Sequence, residues 1–511
     1  MHLPYTSYMP GLTWQLATIL VGLFGILWWL KRNWRLPPGP WSLPLVGYLP
    51  FMDPKQPYRT LSDLARKYGP IYFLRLGCVK TVVVTDPMII KNALNRNDFT
   101  ARADLYVTHG IMGGYGLIAA EGEKWKEQRK FVLNTLKSLG MVKLGTKRKD
   151  LEERILVGVR KAVFDISDCS GKPVNTQEIL LNSLGNVVNS IVLGKTWRNK
   201  DPQWIYLKEL IKTGVHLVGI SGAANFLPFL RWLPFYKESI KYLLDGMKST
   251  HKIYNKLYEL RSVQDDCDDI LSFYKKELAT GNNTHFSMKQ MYHVLADLCG
   301  AGTDTTLATL RWFFLYLAVK PDIQRKVQEE LDSVLKERDV PCLDDMQYLP
   351  YTEACLKEAQ RIRSVVPLGI PHGTWADTEL AGYRIPKGTM LLPVQWAVHM
   401  NPDVWKYPEI FQPERFLDEN NKTNNKHTHF MPFQIGKRMC LGDELARMLM
   451  FLFGAGIIKV FNVTLDRAAT PEEVDEILQG ICGITLEPGE HQLKFTFRKE
   501  PKIEYRPEVY Y

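Results

Sequence analysis

The sequence predicts a mainly α protein with small β-sheets, lying behind one N-terminal transmembrane helix. Three observations carry this. Gly11 to Leu30 is a twenty-residue apolar run broken only by Gln15 and small hydroxyls. As a helix it spans roughly 30 Å, the thickness of a bilayer core. Ser287-Met288-Lys289-Gln290 reads as a capping box that opens a long helix to about Val319, stopped by Pro321. Short β-rich runs, Ile71 to Leu76, Thr81 to Thr85 and Gly480 to Leu486, stand between helical stretches and leave room only for small sheets.

At 511 residues the length alone allows about three domains, although single large domains occur. Composition is that of an ordinary globular chain able to bury a sizeable core. The formal net charge of +10 suits acidic partners or a membrane surface. Nucleic acid is disfavoured as a partner: the bases are interleaved with acids, and no nucleic-acid module or zinc-finger spacing occurs. The eight cysteines, at 78, 169, 267, 299, 342, 355, 440 and 482, contain no C-x-x-C pair. That argues against a zinc site, an iron–sulfur cluster and a disulfide framework, and fits thiols facing a reducing compartment.

Lys31, Arg32 and Arg35 follow the apolar run, while residues 1–10 carry no Lys or Arg. The positive-inside rule then leaves the N-terminus outside and the bulk of the chain in the cytosol. The alternative, a cleaved signal peptide, lacks a basic leader and a small-residue cleavage site. Segment 11–30 is thus an expected signal anchor, 31–50 a basic and proline-rich hinge containing Leu36-Pro37-Pro38-Gly39-Pro40-Trp41, and 51–511 the catalytic body.

Within the body, Tyr58 to Tyr68 has a helical pattern. Trp125 and Arg129 are four apart and share a helix face, where an indole N–H and a guanidinium can bind one carboxylate. The same helix carries Lys124, Lys126 and Lys130, either a docking face or a solvated charge run. Residues 206–250 are unusually apolar and aromatic, as core or as a region that dips into a membrane.

The long helix contains Gly300-Ala301-Gly302-Thr303-Asp304-Thr305-Thr306. Two mid-helix glycines cost about 1 kcal/mol each relative to Ala, so the helix there needs local space. The adjacent acid and hydroxyls can bend the ladder and bond a water or dioxygen in the gap. Glu358 and Arg361 share the face of another helix that begins near Pro350. Phe433-Gln434-Ile435-Gly436-Lys437-Arg438-Met439-Cys440-Leu441-Gly442 places one cysteine in a loop of glycine and cation before an apolar helix to Ile458. A thiolate in an apolar interior needs metal coordination or helix-terminal N–H donors. Gly436 and Gly442 allow positive φ and close approach of a large flat ligand, and Arg438 supplies a fixed cation for an anionic group on it. A lone cysteine is otherwise a structural core residue.

In this order and spacing (proline-rich hinge, W-x-x-x-R, A-G-x-D-T-T, E-x-x-R, Pro413-Glu414-Arg415-Phe416 and the cysteine loop) the chain resembles the cytochrome P-450 superfamily from residue 11 onward. The resemblance implies the P-450 fold as a single large domain, and haem (iron protoporphyrin IX) held by the axial thiolate of Cys440, its one metal ligand. It implies that Arg102, Trp125, Arg129, His372 and Arg438 meet the haem carboxylates. Phe433 and Gly436 belong to the haem loop, and Ala301 leaves room over the iron. Thr305 and Asp304 are the implied catalytic pair, supporting proton delivery to oxygen and connecting to the proton supply. Glu358, Arg361 and Arg415 form an implied buried structural network. Val365, Leu368 and Ile370, with Ile481 from the β-rich run near the C-terminus, are the implied substrate contacts.

The implied reaction is mono-oxygenation with O₂ and electrons from an NADPH-dependent flavoprotein reductase, since the chain has no dinucleotide fingerprint. Cytochrome b5 and membrane lipid are further implied partners, and the endoplasmic reticulum membrane is the implied location. The apolar pocket stretches call for a lipophilic, largely neutral substrate. Pro367 to Gly373 and Gln395 to Met400 are similar to arthropod ecdysteroid-pathway steroid side-chain 25-hydroxylases. Two alternatives remain: a broad-specificity xenobiotic monooxygenase, and a haem-thiolate isomerase or sensor that uses no external electrons.

Overall fold

The computed structural model describes residues 14, 15, 17–20 and 35–499, apart from 218–221, 265, 267, 282, 283, 425 and 426. Among the described residues no helix is long and apolar enough to cross a membrane. The expected anchor, 11–30, is described only at 14, 15 and 17–20, which are helical and exposed, and otherwise lies outside the described residues with Lys31 and Arg32.

The body is mainly helical with small sheets, as the sequence predicts. Helix α1, Pro57–Tyr68, starts on a proline at its first turn and buries Tyr58, Leu61 and Leu64 at helical spacing. It leads into the hairpin of β1, Ile71–Leu76, and β2, Val79–Val84, in register from Ile71 opposite Val84 to Leu76 opposite Val79. α2, Pro87–Asn95, is capped by Asp86, whose carboxylate accepts from the N–H of Met88 and Ile89. The two-residue β3, Ala101–Arg102, then meets β4, His372–Gly373, which lies beside β7, Met390–Pro393. β7 pairs in parallel with β2, closing one sheet in the order β1-β2-β7-β4-β3. The segment expected as a hinge is pinned to this sheet: Phe73 N–H donates to Pro38 O at 2.8 Å and Tyr48 N–H to Arg75 O at 2.6 Å.

Helices α3 (Gly122–Ser138), α4 (Thr146–Asp168), α5 (Thr176–Leu193), α6 (Pro202–Leu217), α7 (Pro234–Glu259) and α8 (Ile270–Thr280) surround α9, Met288–Val319. α10 (Pro321–Leu335), α11 (Pro350–Ile362), α12 (Gln395–His399) and α13 (Asp443–Val460) complete the helical part. α9 packs against α5, α11 and α13, and its stretch from Thr306 to Leu317, with Trp312, Phe313, Phe314 and Leu315, is buried throughout. Only half of the expected capping box forms. Ser287 Oγ accepts from Gln290 N–H at 3.2 Å, but the Gln290 amide turns away to bond both the N–H and the carbonyl of Gly116.

Short pairs finish the chain. β5 (Thr378–Leu380) pairs with β6 (Tyr383–Ile385), and β8 (Phe461–Leu465) with β11 (Leu493–Phe497). After α14, Pro471–Gln479, β9 (Ile481–Cys482) and β10 (Leu486–Glu487) frame a tight turn. The aromatic region 206–250 divides by face: Phe226 and Leu227 are buried, whereas Phe229, Trp232, Leu233 and Phe235 are exposed.

Candidate active site

The cysteine loop is held at both ends. Cys440 N–H donates to Phe433 O at 2.9 Å, and Lys437 N–H to Leu94 O at 3.0 Å. Gly436 has φ +83°, and a Cβ there would collide with the Leu94 carbonyl of α2. What this glycine clears is therefore the end of α2, not a ligand. Gly442 has φ −102° and open space around it; its contribution is the N–H beside the Cys440 sulfur at the start of α13. Cys440 is enclosed by the loop yet has exposed surface, as a residue lining an interior cleft does. Burial pushes its thiol up, while the Gly442 N–H, Arg129 and Arg447 pull it back. The Arg447 guanidinium lies 4.9 Å from the Phe433 ring, fixing the loop's first residue.

Around this loop the fold collects three guanidinium groups. Arg102 and His372 are cross-strand neighbours on β3 and β4. Arg438 stacks 4.4 Å from the Trp125 ring, and Arg129, one turn along α3, donates to Met439 O at 2.7 Å. The backbone from Ile118 to Ala120 holds two of them. Ile118 O accepts from Arg102 Nε at 2.8 Å and from Arg438 Nη1 at 3.3 Å, and Ala120 O accepts from Arg438 Nη2.

Burial, and then repulsion from Arg102, pushes Arg438 down to about 8; burial pushes Arg102 down to about 10 despite the attraction of Glu121. His372 is driven down to about 3 by burial and by Arg102. The carboxylates at hand are Glu121 and Asp297 beside Arg102, and Asp443 beside Arg129. Burial opposes ionisation of Glu121, but His109 and the Arg102 N–H outweigh it and hold it low. Asp297 is pushed up to about 7 by burial, against the N–H groups of Ile118 and Leu117. Arg102 and Arg438 face the ionised Glu121, with Asp443 beside Arg129, and the buried Arg438 Nε has no partner among the described residues. His372 Nδ1–H donates to Phe99 O at 2.8 Å, so its Nε2 carries a hydrogen only in the charged ring. An unpaired buried guanidinium donor needs an anion. A porphyrin carrying two carboxylates and an iron that takes a thiolate fits the donors and the sulfur together.

The opposite wall comes from α9. Ala301 is exposed, whereas Cys299 and Thr303, two residues to either side, are buried. Thr305 Oγ donates to Ala301 O at 2.8 Å, which leaves its lone pairs free to accept. Gly302 lets α5 approach, since a Cβ would lie 3.3 Å from Val188. Asp304 does not point with Thr305: its carboxylate accepts from Thr485 Oγ at 2.8 Å, in the turn between β9 and β10. Burial, with Glu487 nearby, pushes Asp304 up to about 7.

Val365 is half-buried and its carbonyl accepts from Leu486 N–H at 2.7 Å; Leu368 is buried and Ile370 half-buried. Ile481 departs from the expected set. It is 48% exposed and lines an outer hollow with Arg311 and with Glu487, its cross-strand partner, while Thr485 in the turn is buried against Asp304. Away from the cleft, Arg361 donates twice to Glu358 at 2.7 Å, and Arg415 Nε lies 3.3 Å from the same carboxylate.

Sequence reasoning missed Gln290 and Asp297. Asp297 Oδ2 accepts from Leu117 and Ile118 N–H at 2.6 and 2.9 Å, so with Gln290 it suspends the strip of backbone that carries Arg102 and Arg438. The signal was present: Gln290, Asp297, Asp304 and Arg311 repeat every seven residues along the helix, and all four are buried.

A family model described as Cytochrome P450 matches residues 37–495. Cytochrome P450 306a1 of Drosophila melanogaster is 39% identical, covering 98% of this chain and 97% of that protein. Cytochrome P450 18a1 of the same fly is 32% identical over 94% and 91%, and human Cytochrome P450 2J2 is 34% identical over 91% of each.

Proposed function

The chain belongs to the cytochrome P450 family and is a haem-thiolate monooxygenase; on that premise we propose that Cys440 is the axial ligand and that the substrate is a steroid, hydroxylated on its side chain. The family implies a lipophilic substrate, O₂ and a reductase as redox partner. When bound, haem supplies the activation of O₂ with two electrons. The chain's own residues do the rest. The Gly442 N–H and Arg129 steady the Cys440 sulfur. Arg102, Trp125, Arg129, His372 and Arg438 take the haem carboxylates, with Phe433 and Gly436 shaping the loop. Ala301 keeps the α9 wall clear, Thr305 offers a hydroxyl that accepts and passes a proton, and Asp304 holds one. Val365, Leu368 and Ile370 give the substrate an apolar wall. Glu358, Arg361 and Arg415 hold the fold behind the loop.

The observation that carries the haem-thiolate reading is the surplus of buried positive charge beside an open thiol, which a carboxylate-bearing porphyrin with a thiolate-bound iron uses together. The apolar sequence at 11–30, read as an anchor, and the exposed Phe229, Trp232, Leu233 and Phe235 support a location at the endoplasmic reticulum membrane with the catalytic body cytosolic. The exposed Lys126 and Lys130 on α3 suit an acidic NADPH reductase or cytochrome b5. The side-chain 25-hydroxylation of an ecdysteroid precursor is supported by the likeness of 367–373 and 395–400 to the arthropod enzyme phantom. The second reading, a xenobiotic oxygenase, is favoured by the half-exposed Val365 and Ile370, which leave the pocket wall loosely covered.

Product analysis with reductase, NADPH and a panel of sterols and drugs decides between them. A single hydroxylated steroid is expected; turnover of foreign compounds alone overturns the steroid assignment. An isomerase or sensor would consume no NADPH.

A further inference from the structure

Asp304 and Arg311 stand two turns apart on one face of α9, and both are buried. Facing them is the extended chain through Thr485 and Glu487, whose side chains, two residues apart, point the same way. The two elements are joined twice. Thr485 Oγ donates to Asp304 Oδ2 at 2.8 Å, and Arg311 Nη1 donates to Glu487 Oε2 at 2.5 Å. Outside the ion pair lies a hollow of about 510 Å³ lined by Arg311, Glu487, Glu490 and His491, with Ile481 and Glu490 exposed on its rim. Arg311 Nε is buried and has no partner among the described residues, so behind the ion pair it keeps a donor for a buried water.

We propose that this hollow is the proton entrance of the enzyme, and that Thr485 passes protons from it to Asp304. Thr485 Oγ gives its hydrogen to the Asp304 carboxylate and takes one from a water held behind the Arg311–Glu487 pair, and that water regains its proton from the hollow and so from bulk. One proton moves inward, the hydroxyl is restored and no electrons move. The Arg311–Glu487 pair sets the field at the transfer point, Glu487 favouring protonated Asp304 and Arg311 the ionised form; these are the charged groups that act on it. Burial and Glu487 bring Asp304 to about 7, where both forms are populated at neutral pH. The inference rests on the assignment of Asp304 and Thr305 to proton handling.

The test is an infrared titration of the haem-loaded full chain, following the carboxyl band that vanishes in Asp304→Asn, together with the share of NADPH electrons recovered as hydrogen peroxide. Thr485→Val removes the bond that favours the carboxylate and is expected to raise the Asp304 midpoint by roughly one unit. Glu487→Gln removes the like charge and is expected to lower it by a similar amount. Both divert more electrons to peroxide, whereas Thr485→Ser, which keeps the hydroxyl, restores the midpoint and the coupling. Midpoints that stay put or move the same way in both variants overturn the relay, and so does a Ser variant that behaves like Val. If Asp304→Asn uncouples and Thr485→Val does not, the relay alone fails. If Asp304→Asn leaves coupling intact, the assignment of Asp304 itself falls, and the relay with it.

Discussion

Glu358→Ala gives the clearest energetic prediction. Glu358 and Arg361 are fully buried, and Arg415 nearly so. The carboxylate accepts twice from Arg361 at 2.7 Å, once from Arg415 at 3.3 Å and once from the Gln412 N–H at 2.9 Å. Arg361 spends its remaining donors on His399 O and Pro408 O at 2.8 and 2.7 Å, which are dipoles and not counter-charges. Deleting the carboxylate leaves a guanidinium in the dry interior with no anion, a loss of about 3–5 kcal/mol. Against a total stability of about 5–15 kcal/mol that is a large fraction, and since the unfolding entropy of 511 residues is about 1 kcal/mol/K it lowers Tm by roughly 3–5 °C. Denaturant unfolding followed by tryptophan fluorescence measures it on the haem-loaded protein. Glu358→Leu combined with Arg361→Met removes both charges and is expected to recover more than half of the loss. A Glu358→Ala variant within about 1 kcal/mol of the parent would refute the claim that this pair is desolvated and mutually dependent.

Three further outcomes follow from the geometry. Cys440→Ser is expected to remain folded, because the side chain is exposed to the cleft, but to lose the thiolate band of the reduced carbon-monoxide spectrum; retention of that band removes Cys440 as ligand. Gly436→Ala must hold φ +83° and push against Leu94 O; the φ term alone costs about 1–2 kcal/mol, and a thermal melt with haem content measures the loss. Asp304, with an ordinary value of 3.8 and a folded value of about 7, contributes stability that is fully present below 3.8 and lost as pH rises through about 7. The full difference is roughly 4 kcal/mol. Asp304→Asn is therefore expected to flatten the fall in stability between those two pH values, seen in urea midpoints collected across that range.

Much of this molecule was legible in its residues. The long helix from Ser287 to Val319 was plain because a cap, an apolar run and a proline agree. The cysteine loop was plain because few structures other than a metal site put one thiol between two glycines and an arginine. What escaped was decided by partners distant in sequence. Gln290 was assigned to its own helix cap, yet it gains two bonds from Gly116 and only one from Ser287. Asp304 was placed with Thr305 as its chain neighbour, yet a turn 181 residues away claims its carboxylate. Ile481 was taken as the inward tip of its run, yet it sits opposite Glu487 and is exposed, and the turn beyond it buries Thr485 against Asp304 instead. The seven-residue polar stripe on α9 could have warned of all this, since buried polar groups at one face require partners from another element.

The central sheet also governs when the protein can fold. β2 ends at Val84 and its parallel partner begins at Met390, so about 300 residues are translated in between, taking about 15–60 s at ordinary rates. Through that interval the first hairpin waits with a bare edge, Thr81 to Val84, of high β-propensity and no charge. A nascent chain with such an edge is open to mispairing with its neighbours on the same polysome. Slowing synthesis between these two points should lower the yield of soluble protein more than the same slowing after Pro393.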